Sequence, residues 1–333
     1  MRRGNPMARA ATRPRSNRKS RGRRIMDIRT VIRFACRPVM MAALVAASGP
    51  LLAPATAHAA EAAAVEGVTA AAWAVADAET GEVLASHELE RPSNIASVTK
   101  LMTLLVVTEM AAAQPAILDE ELSFAERAVA IGGTKTGLAA GERISVREAL
   151  YGLMLPSGND AGYMLAIHFG APMVAAGVEA TPASAYKAFV AAMNRKARAL
   201  GMTQTRYSSA FGDALDPDRR TSSARDQLIL ARAAMANPLV RQVVGTREHE
   251  TIARTASGAE RRVAWHNTNE LLGRPGVTGI KTGSNRSAHS CLLTEVSVDG
   301  RRYHVAVLGS RTSADRYNDT LKVLKSVTGR TVK

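Results

Sequence analysis

The sequence predicts an α+β fold in which one mostly antiparallel sheet is flanked by helices. Three observations support this prediction: a strand pair early in residues 60–333, a helical middle, and three strands followed by a helix at the end. This division of strands and helices along a chain is typical of an antiparallel sheet with helices packed on it. We expect the first and last segments to close the sheet. No internal repeat and no linker divides residues 60–333, so a single domain is predicted.

The first predicted elements are a hairpin and a helix. Residues 70–77 and 82–88 flank the turn sequence AETG at 78–81, the pattern of a β-hairpin. A helix is then expected to start at Ser97 and to continue through an apolar run to about Ala112. Pro115 ends it, because proline cannot continue a helix.

Capping signals predict the helices of the middle region. Ser145 stands three residues before Glu148, which is the spacing of a capping box, and Gly201 ends a later helix. Residues 115–143 are expected to be irregular, and residues 208–220 to form a turn-rich loop. The predicted helices are 145–155, 160–169, 186–200 and one that is capped within 221–226 and reaches 236.

The last quarter of the chain is predicted to be rich in strands. Residues 277–282 form one strand, and residues 291–298 and 301–308 form a hairpin around an Asp-Gly turn. A final helix is expected over 314–327. Cys291 lies in the second of these strands and is predicted to be a buried free thiol, since the other cysteine lies at position 36.

The basic charge belongs to the first 59 residues. The formal net charge is +15, but residues 1–59 hold 13 Lys and Arg side chains against one acid. The remainder carries 31 basic and 28 acidic side chains, so no nucleic-acid-binding face is implied. The seven histidines show no metal-ligand spacing, and neither a metal nor a cofactor is expected.

Residues 1–59 have the layout of a secretory signal. Arginines precede the short apolar stretch 39–47, and Ala57-His58-Ala59 fits a cleavage site between small residues. The apolar stretch is too short for a spanning helix. We therefore expect residues 1–59 to be a presequence and residues 60–333 to be an exported, soluble domain in the periplasm or outside the cell, without a membrane anchor.

Ser97 and Lys100 form the motif around which the functional prediction is built. They stand three residues apart at the start of an apolar helix, so their side chains share one face. A serine hydroxyl needs a base to become a nucleophile, and a lysine amine can be that base if burial or a nearby positive charge lowers its pKa. The same spacing also occurs at Ser16/Lys19 and at Ser184/Lys187, so the motif alone is weak.

Two later motifs strengthen this hypothesis. Ser157-Gly158-Asn159 lies between two predicted helices, where its hydroxyl can pass a proton and its amide can hold the amine or a substrate carbonyl. Lys281-Thr282-Gly283 ends a predicted strand, where the lysine and threonine can bind a carboxylate and the glycine can let a substrate backbone approach. A second copy of that triplet, at 135–137, lies before Ser157 in a glycine-rich segment and is rejected.

In this order the three motifs resemble those of the penicillin-binding protein and serine β-lactamase superfamily, and most closely those of the low-molecular-mass D-alanyl-D-alanine carboxypeptidases. The resemblance covers about residues 67–329. It implies a β-lactamase/transpeptidase-like fold with a helical subdomain. The stretches that carry it are 96–102, 155–161, 200–202, 223–226, 267–269 and 279–283.

The resemblance also implies a role for each site residue. Ser97 would be the nucleophile, Lys100 its base with a pKa lowered partly by Lys281, and Ser157 the proton shuttle. Asn159 would orient the base and the substrate. The backbone N–H groups of Ser97 and Ser284 would form an oxyanion hole. The residues expected to hold the terminal carboxylate of D-alanine are Lys281, Thr282 and, with the weakest match, Arg316.

The implied activity is removal of the terminal D-alanine from peptidoglycan stem peptides, with β-lactams as covalent inhibitors. Only about 50 residues follow Lys281, so the second domain and anchor of the larger carboxypeptidases are expected to be missing. That layout is similar to the D-alanyl-D-alanine endopeptidases, which cut cross-links and remain an alternative. A class A β-lactamase is disfavoured, since no Glu-x-x-Leu-Asn stretch lies between Ser157 and Lys281. A non-catalytic penicillin sensor is the other alternative.

Overall fold

The computed structural model describes residues 65–212 and 222–332. Its larger sheet has five antiparallel strands in the order β2-β1-β9-β8-β7. The first hairpin therefore joins the last strand, as predicted, with Ala74 opposite Ala306. The strands are β1 (Ala72–Asp77), β2 (Val83–His87), β7 (Val277–Asn285), β8 (His289–Val298) and β9 (Arg301–Ser310).

A second sheet corrects the prediction of a single one. Four short antiparallel strands pair in the order β3-β4-β5-β6. The sequence analysis missed them because β3 and β4 have three residues each, while β5 and β6 expose most of their charged side chains. Residues 115–143 are consequently more regular than predicted. These strands are β3 (Glu121–Ser123), β4 (Arg143–Ser145), β5 (Glu248–Arg254) and β6 (Glu260–His266).

The helices agree with the predicted ones at most positions. Ser145 Oγ accepts a hydrogen bond from the N–H of Glu148, so the predicted cap is confirmed. One helix starts four residues earlier than expected, because Thr181 caps it and Pro182 occupies its first position. The helices are α1 (Lys100–Ala113), α2 (Glu126–Val129), α3 (Val146–Met154), α4 (Asn159–Gly170), α5 (Pro182–Ala199), α6 (Ala224–Met235), α7 (Pro238–Gly245) and α8 (Ser313–Thr328).

Helix α1 passes through the hydrophobic core. Within the described residues, the stretch 96–113 is the one helical segment apolar and long enough to cross a membrane, and 72% of it is buried inside the protein. A helix that is apolar on all sides and buried is typical of the centre of a folded domain. The consequence for function is that Lys100, at its first position, is fully removed from solvent.

The far end of the larger sheet holds a buried carboxylate. Glu295 of β8 is 1% exposed and accepts two hydrogen bonds from Arg241, at 2.9 and 3.1 Å. The Thr278 hydroxyl donates to it at 2.9 Å, and Nε2 of His304 lies 3.0 Å away. Burial alone would raise the pKa of Glu295, but these partners outweigh burial and lower it to about 2.

We expect Glu295→Gln to lower the free energy of unfolding by roughly 3–5 kcal/mol, because it breaks a buried ion pair and leaves Arg241 without its partner. Because the pKa falls from 4.5 to about 2 on folding, this stabilisation is complete above pH 4.5 and is lost as the pH falls toward 2. Urea denaturation at pH 7 and pH 3 measures both effects. The control is Glu260→Gln, which removes an exposed pair with Arg254. An equal loss in both variants at pH 7 would contradict the prediction.

Candidate active site

Ser97 lies on a short 3-10 turn, Ala96–Thr99, that leads directly into α1. Ala96 has a left-handed backbone conformation with φ of +43°, which is uncommon for a non-glycine residue. Asn94 Oδ1 accepts the N–H of Ala96 at 3.0 Å. The next N–H, that of Ser97, has no carbonyl before it within the helix to bond. The turn therefore presents both the hydroxyl and the N–H of Ser97 at one place.

The amine of Lys100 is buried among three oxygens. Its Nζ lies 2.9 Å from Ser97 Oγ, 2.8 Å from Asn159 Oδ1 and 2.9 Å from the carbonyl oxygen of Phe211. The structure thus joins the first predicted motif to the second. The buried amine is therefore held within hydrogen-bond distance of the hydroxyl that it would deprotonate.

The second motif forms a strained loop between α3 and α4. Ser157 has φ of +63°, and its buried Oγ has no hydrogen-bond partner among the described residues. The structure therefore shows no hydrogen bond between Ser157 Oγ and Lys100, and the role of Ser157 in passing a proton stays a prediction. Asn159 Nδ2 donates to the carbonyl of Gly132 at 2.8 Å, which fixes the amide so that Oδ1 faces the amine. An unpartnered buried hydroxyl beside this amide is available to a substrate.

The rejected triplet at 135–137 supports this loop. The N–H and hydroxyl of Thr136 both donate to the Asp160 carboxylate, at 3.0 and 2.7 Å. Trp265 Nε1 donates to the carbonyl of Thr136 at 2.8 Å. Lys135 points elsewhere and donates to Val129 O. The segment therefore braces the second motif and adds no cation to it.

The third motif lies on β7, where alternate side chains point to opposite faces. Thr282 and Ser284 share one face. Thr282 Oγ1 lies 2.6 Å from the hydroxyl of Thr268, and Ser284 Oγ accepts from Arg316 Nη1 at 2.9 Å. Lys281 is on the other face and donates to Thr282 O at 3.1 Å. The structure thus brings Thr282, Ser284 and Arg316 together, and Lys281 lies on the face of β7 that also carries Gly283.

Gly283 has a different role from the predicted one. A Cβ at this position would lie 2.5 Å from the carbonyl oxygen of Ile95 and 3.1 Å from Val98 N. The space that a side chain would fill is occupied by the turn that carries Ser97, not by an approaching substrate. This contact sets the distance between the first and third motifs.

Arg316 is a buried cation that contacts no carboxylate among the described residues. It is 7% exposed, its Nη2 donates to Tyr317 Oη at 2.9 Å, and its Nε has no partner within that part of the chain. Burial, followed by the charge of Arg316, lowers the pKa of Lys281 to about 7. A buried guanidinium is costly without an anion, so the surroundings of Arg316 are suited to an anionic ligand.

Three groups of the site escaped the sequence analysis. The Phe211 carbonyl on Lys100 is a backbone atom, so no residue type signals it. Thr268 and Tyr317 border the pocket: Tyr317 Oη accepts from Arg316 and donates to Thr268 O at 2.8 Å. The signal for Thr268 was present, since the stretch 267–269 is one of those that carry the resemblance. Residues 213–221, part of the predicted loop, lie outside the described residues.

These features define a class of protein. A serine hydroxyl bonded to a buried lysine can form an ester with an acyl group, and the adjacent cation can hold the carboxylate of the leaving residue. An enzyme with such a site is a serine-type acyl transferase or hydrolase acting near a free carboxyl end. No cluster of His, Cys, Asp or Glu suited to a metal ion occurs within residues 65–212 and 222–332.

Comparison with known proteins identifies the family. The family model for D-alanyl-D-alanine carboxypeptidases matches residues 57–312. The chain is 33% identical over 289 residues to the D-alanyl-D-alanine carboxypeptidase of Streptomyces sp. strain K15, covering 85% of this chain and 96% of that protein. The Streptomyces K15 DD-transpeptidase crystal structure matches with a TM-score of 0.72 and 31% identity, over 79% of this chain and 98% of that one. The chain therefore belongs to the D-alanyl-D-alanine carboxypeptidase family of serine peptidases, and the predicted family and fold class are confirmed.

Other relatives differ in length and in name. The chain is 29% identical to the carboxypeptidase DacF of Bacillus subtilis but covers 59% of that protein. It is 30% identical to the D-alanyl-D-alanine endopeptidase of Escherichia coli, over 70% of this chain and 69% of that one. Members of this family act on the cell wall, outside the cytoplasm.

Proposed function

We propose that this protein removes the terminal D-alanine from peptidoglycan stem peptides through an ester on Ser97. The observation that carries the proposal is the buried guanidinium of Arg316, which faces Ser284 and contacts no carboxylate among the described residues. A peptide that ends in D-Ala-D-Ala supplies one carboxylate, one residue beyond the bond to be cut. The absence of a side chain at Gly283 lets β7 pack against the turn that carries Ser97. One substrate can therefore contact both the Arg316 pocket and Ser97.

The acylation step follows from the contacts of Lys100. The Ser97 hydroxyl gives its proton to the Lys100 amine while its oxygen attacks the carbonyl carbon of the penultimate D-alanine. The N–H groups of Ser97 and Ser284 would bind the oxyanion. The proton then passes through Ser157 to the departing amine nitrogen, and the C–N bond breaks. Free D-alanine leaves, and the remaining peptide is held as an ester.

Water completes the cycle. Lys100, again neutral, takes a proton from water while the water oxygen attacks the ester carbonyl. The Ser97 oxygen leaves with that proton, and the shortened peptide is released. A β-lactam would acylate Ser97 in the same way, and its carboxylate would occupy the Arg316 pocket. The D-alanine released from a peptide leaves the Arg316 pocket, whereas an opened β-lactam stays attached to Ser97. We therefore expect the β-lactam ester to hydrolyse slowly.

We further propose that residues 1–59 direct export and that residues 60–333 form one peptidase domain acting in the periplasm or outside the cell. The support is the signal-like layout of residues 39–59, which lie outside the described residues, and the cell-wall activity of the family. An N-terminal sequence of the exported protein that begins at Ala60 would support this proposal. An intact presequence on the exported protein would contradict it.

The activity is tested by product analysis. We expect residues 60–333 to release D-alanine from a pentapeptide ending in D-Ala-D-Ala, and Ser97→Ala to release none. Ser184→Ala is the matched control, since Ser184 belongs to the same Ser-x-x-Lys pattern at the surface helix α5. Labelling by a fluorescent penicillin with no release from any substrate would contradict the proposal and favour a penicillin sensor.

The second candidate is a D,D-endopeptidase, favoured by the relatives that carry that name. It cuts the same type of bond, but in a cross-linked dimer. Mass spectrometry of products from pentapeptide and from cross-linked dimer, offered at equal concentrations, separates the two. Faster cleavage of the dimer would contradict the carboxypeptidase assignment.

The Tyr317 hydroxyl is expected to position the carboxylate pocket, because it joins Arg316 to the Thr268 backbone. Loss of a hydrogen bond to a charged group costs roughly 1.5–3 kcal/mol. We therefore predict that Tyr317→Phe raises the KM for the pentapeptide about tenfold or more. We expect kcat to stay within threefold of the parent value. Steady-state kinetics tests this, with Tyr303→Phe as the control, since Tyr303 packs in the same core cluster but on β9. An unchanged KM in Tyr317→Phe would refute the prediction.

A further inference from the structure

A backbone carbonyl holds the amine of Lys100 together with side chains of the first and second sequence motifs. The carbonyl oxygen of Phe211 lies 2.9 Å from Lys100 Nζ in a buried setting. Phe211 follows α5 by a dozen residues and belongs to none of the three motifs. The carbonyl is presented by residues 209–212, which we name the Ser209 turn.

Side-chain hydroxyls build the Ser209 turn. Ser209 Oγ accepts the N–H groups of Phe211 and Gly212, each at 3.1 Å. Tyr186 Oη accepts the N–H of Ala210 at 2.9 Å and lies 3.4 Å from Ser209 Oγ. Because Ser209 binds both N–H groups that flank the Phe211 carbonyl, it sets the direction in which that carbonyl points.

The turn is also locked against the residue before the nucleophile. Gly212 has φ of +88°, a conformation that favours glycine. A Cβ at Gly212 would overlap the carbonyl group of Ala96. The hydroxyl of Thr103, one turn after Lys100 on α1, donates to the carbonyl of Ala210. The Ser209 turn therefore contacts both the 3-10 turn that carries Ser97 and helix α1, which carries Lys100.

Counting donors shows what the Phe211 carbonyl does to the amine. The carbonyl of Phe211 and Oδ1 of Asn159 can only accept hydrogen bonds, and the contact of Asn159 with Gly132 O fixes which amide atom faces Lys100. A neutral amine has two N–H groups and one lone pair. When these acceptors bind its N–H groups, the lone pair can accept the hydroxyl proton of Ser97, whose Oγ lies 2.9 Å from Nζ.

We propose that Ser209 is a positioning residue for the general base. Its hydroxyl fixes the carbonyl of Phe211, and that carbonyl directs the lone pair of Lys100 toward the nucleophile. The inference rests on the proposed function, since it assigns to Lys100 the deprotonation of Ser97. Ser209 touches neither substrate nor reacting atoms and acts through the backbone alone.

The test separates acylation from binding. Stopped-flow labelling with a fluorescent penicillin gives the dissociation constant of the first complex and the rate constant of acylation. We expect Ser209→Ala to lower the acylation rate constant about 10–100-fold, because a small misplacement of a catalytic group has effects of this size. The dissociation constant is expected to stay within twofold, since the carboxylate pocket lies on β7 and α8.

The matched control is Ser208→Ala, an exposed serine in the preceding position that makes no hydrogen bond within the described residues. It is expected to keep the parent rate. Tyr186→Phe, which removes the acceptor of the Ala210 N–H, is the second variant and should slow acylation by about threefold to tenfold. Thermal melting of each variant verifies that it is folded.

Three results would overturn the proposal. One is an acylation rate constant for folded Ser209→Ala within twofold of the parent protein. Another is an equal loss of rate in Ser208→Ala. The third is a loss of rate in Ser209→Ala that is matched by weaker binding of the penicillin. Failure of the proposed function would look different, because the parent protein itself would then form no adduct with the penicillin.

Discussion

Replacing Lys100 by methionine is expected to lower the rate of Ser97 acylation by about 10²–10⁴-fold, the usual contribution of a general base. Methionine fills a similar volume in the buried site but cannot accept the hydroxyl proton. The contact that justifies this prediction is the 2.9 Å separation of Lys100 Nζ and Ser97 Oγ in a pocket closed to solvent. Penicillin labelling and D-alanine release should both fall, since each begins with the same proton transfer.

The control for this variant exists in the same chain. Lys187 follows Ser184 with the same spacing but is exposed on α5, so Lys187→Met is expected to retain full activity. Lys100→Met also leaves the acceptors Asn159 Oδ1 and Phe211 O without their donor, so its thermal stability must be measured alongside. A folded Lys100→Met protein that acylates within tenfold of the parent rate would contradict the role of the amine.

Replacing Arg316 by glutamine is expected to reduce kcat/KM for a D-Ala-D-Ala peptide about 10²–10³-fold. Truncating one partner of a buried charge pair costs 2–5 kcal/mol or more, and here the partner is the substrate carboxylate. The same peptide with a C-terminal amide carries no charge for Arg316 to bind. The kcat/KM for this amide should change less than fivefold between the parent protein and Arg316→Gln. The preference for the free carboxylate should therefore largely disappear in the variant.

Arg311→Gln is the matched control, because Arg311 is an exposed arginine five residues earlier whose backbone N–H, not its guanidinium, makes the hydrogen bond to Thr69. It should leave the kinetics of both peptides unchanged. If Arg316→Gln slows the amide and the free acid equally, the guanidinium supports the fold and does not recognise the carboxylate.

The sequence predicted those parts of the site that depend on side-chain chemistry at fixed spacing. Ser97 and Lys100 could be paired because a helical turn brings positions i and i+3 together. The strand of Lys281 and Thr282 could be placed because apolar β-branched residues precede it. The first and last hairpins were also predictable, and their pairing across more than 200 residues followed from the need to close the sheet.

The remaining parts depend on tertiary contacts that leave little trace in local sequence. The exposed hairpin β5–β6 is covered with charged side chains, and its inner face is revealed by four buried positions, Thr251, Ala253, Val263 and Trp265. Gly283 is required by the close approach of Ile95, a residue 188 positions away. The Phe211 carbonyl acts through the backbone, so residue type does not indicate its role.

The most direct test is to identify the covalent intermediate by mass. The enzyme is mixed with a D-Ala-D-Ala peptide and with a penicillin, quenched in acid within milliseconds, digested and analysed by tandem mass spectrometry. We predict that both adducts lie on Ser97, that the peptide adduct lacks one alanine, and that Ser184 stays unmodified. An adduct on another residue, or rapid D-alanine release with no ester under any quench time, would contradict an acyl-enzyme mechanism at Ser97.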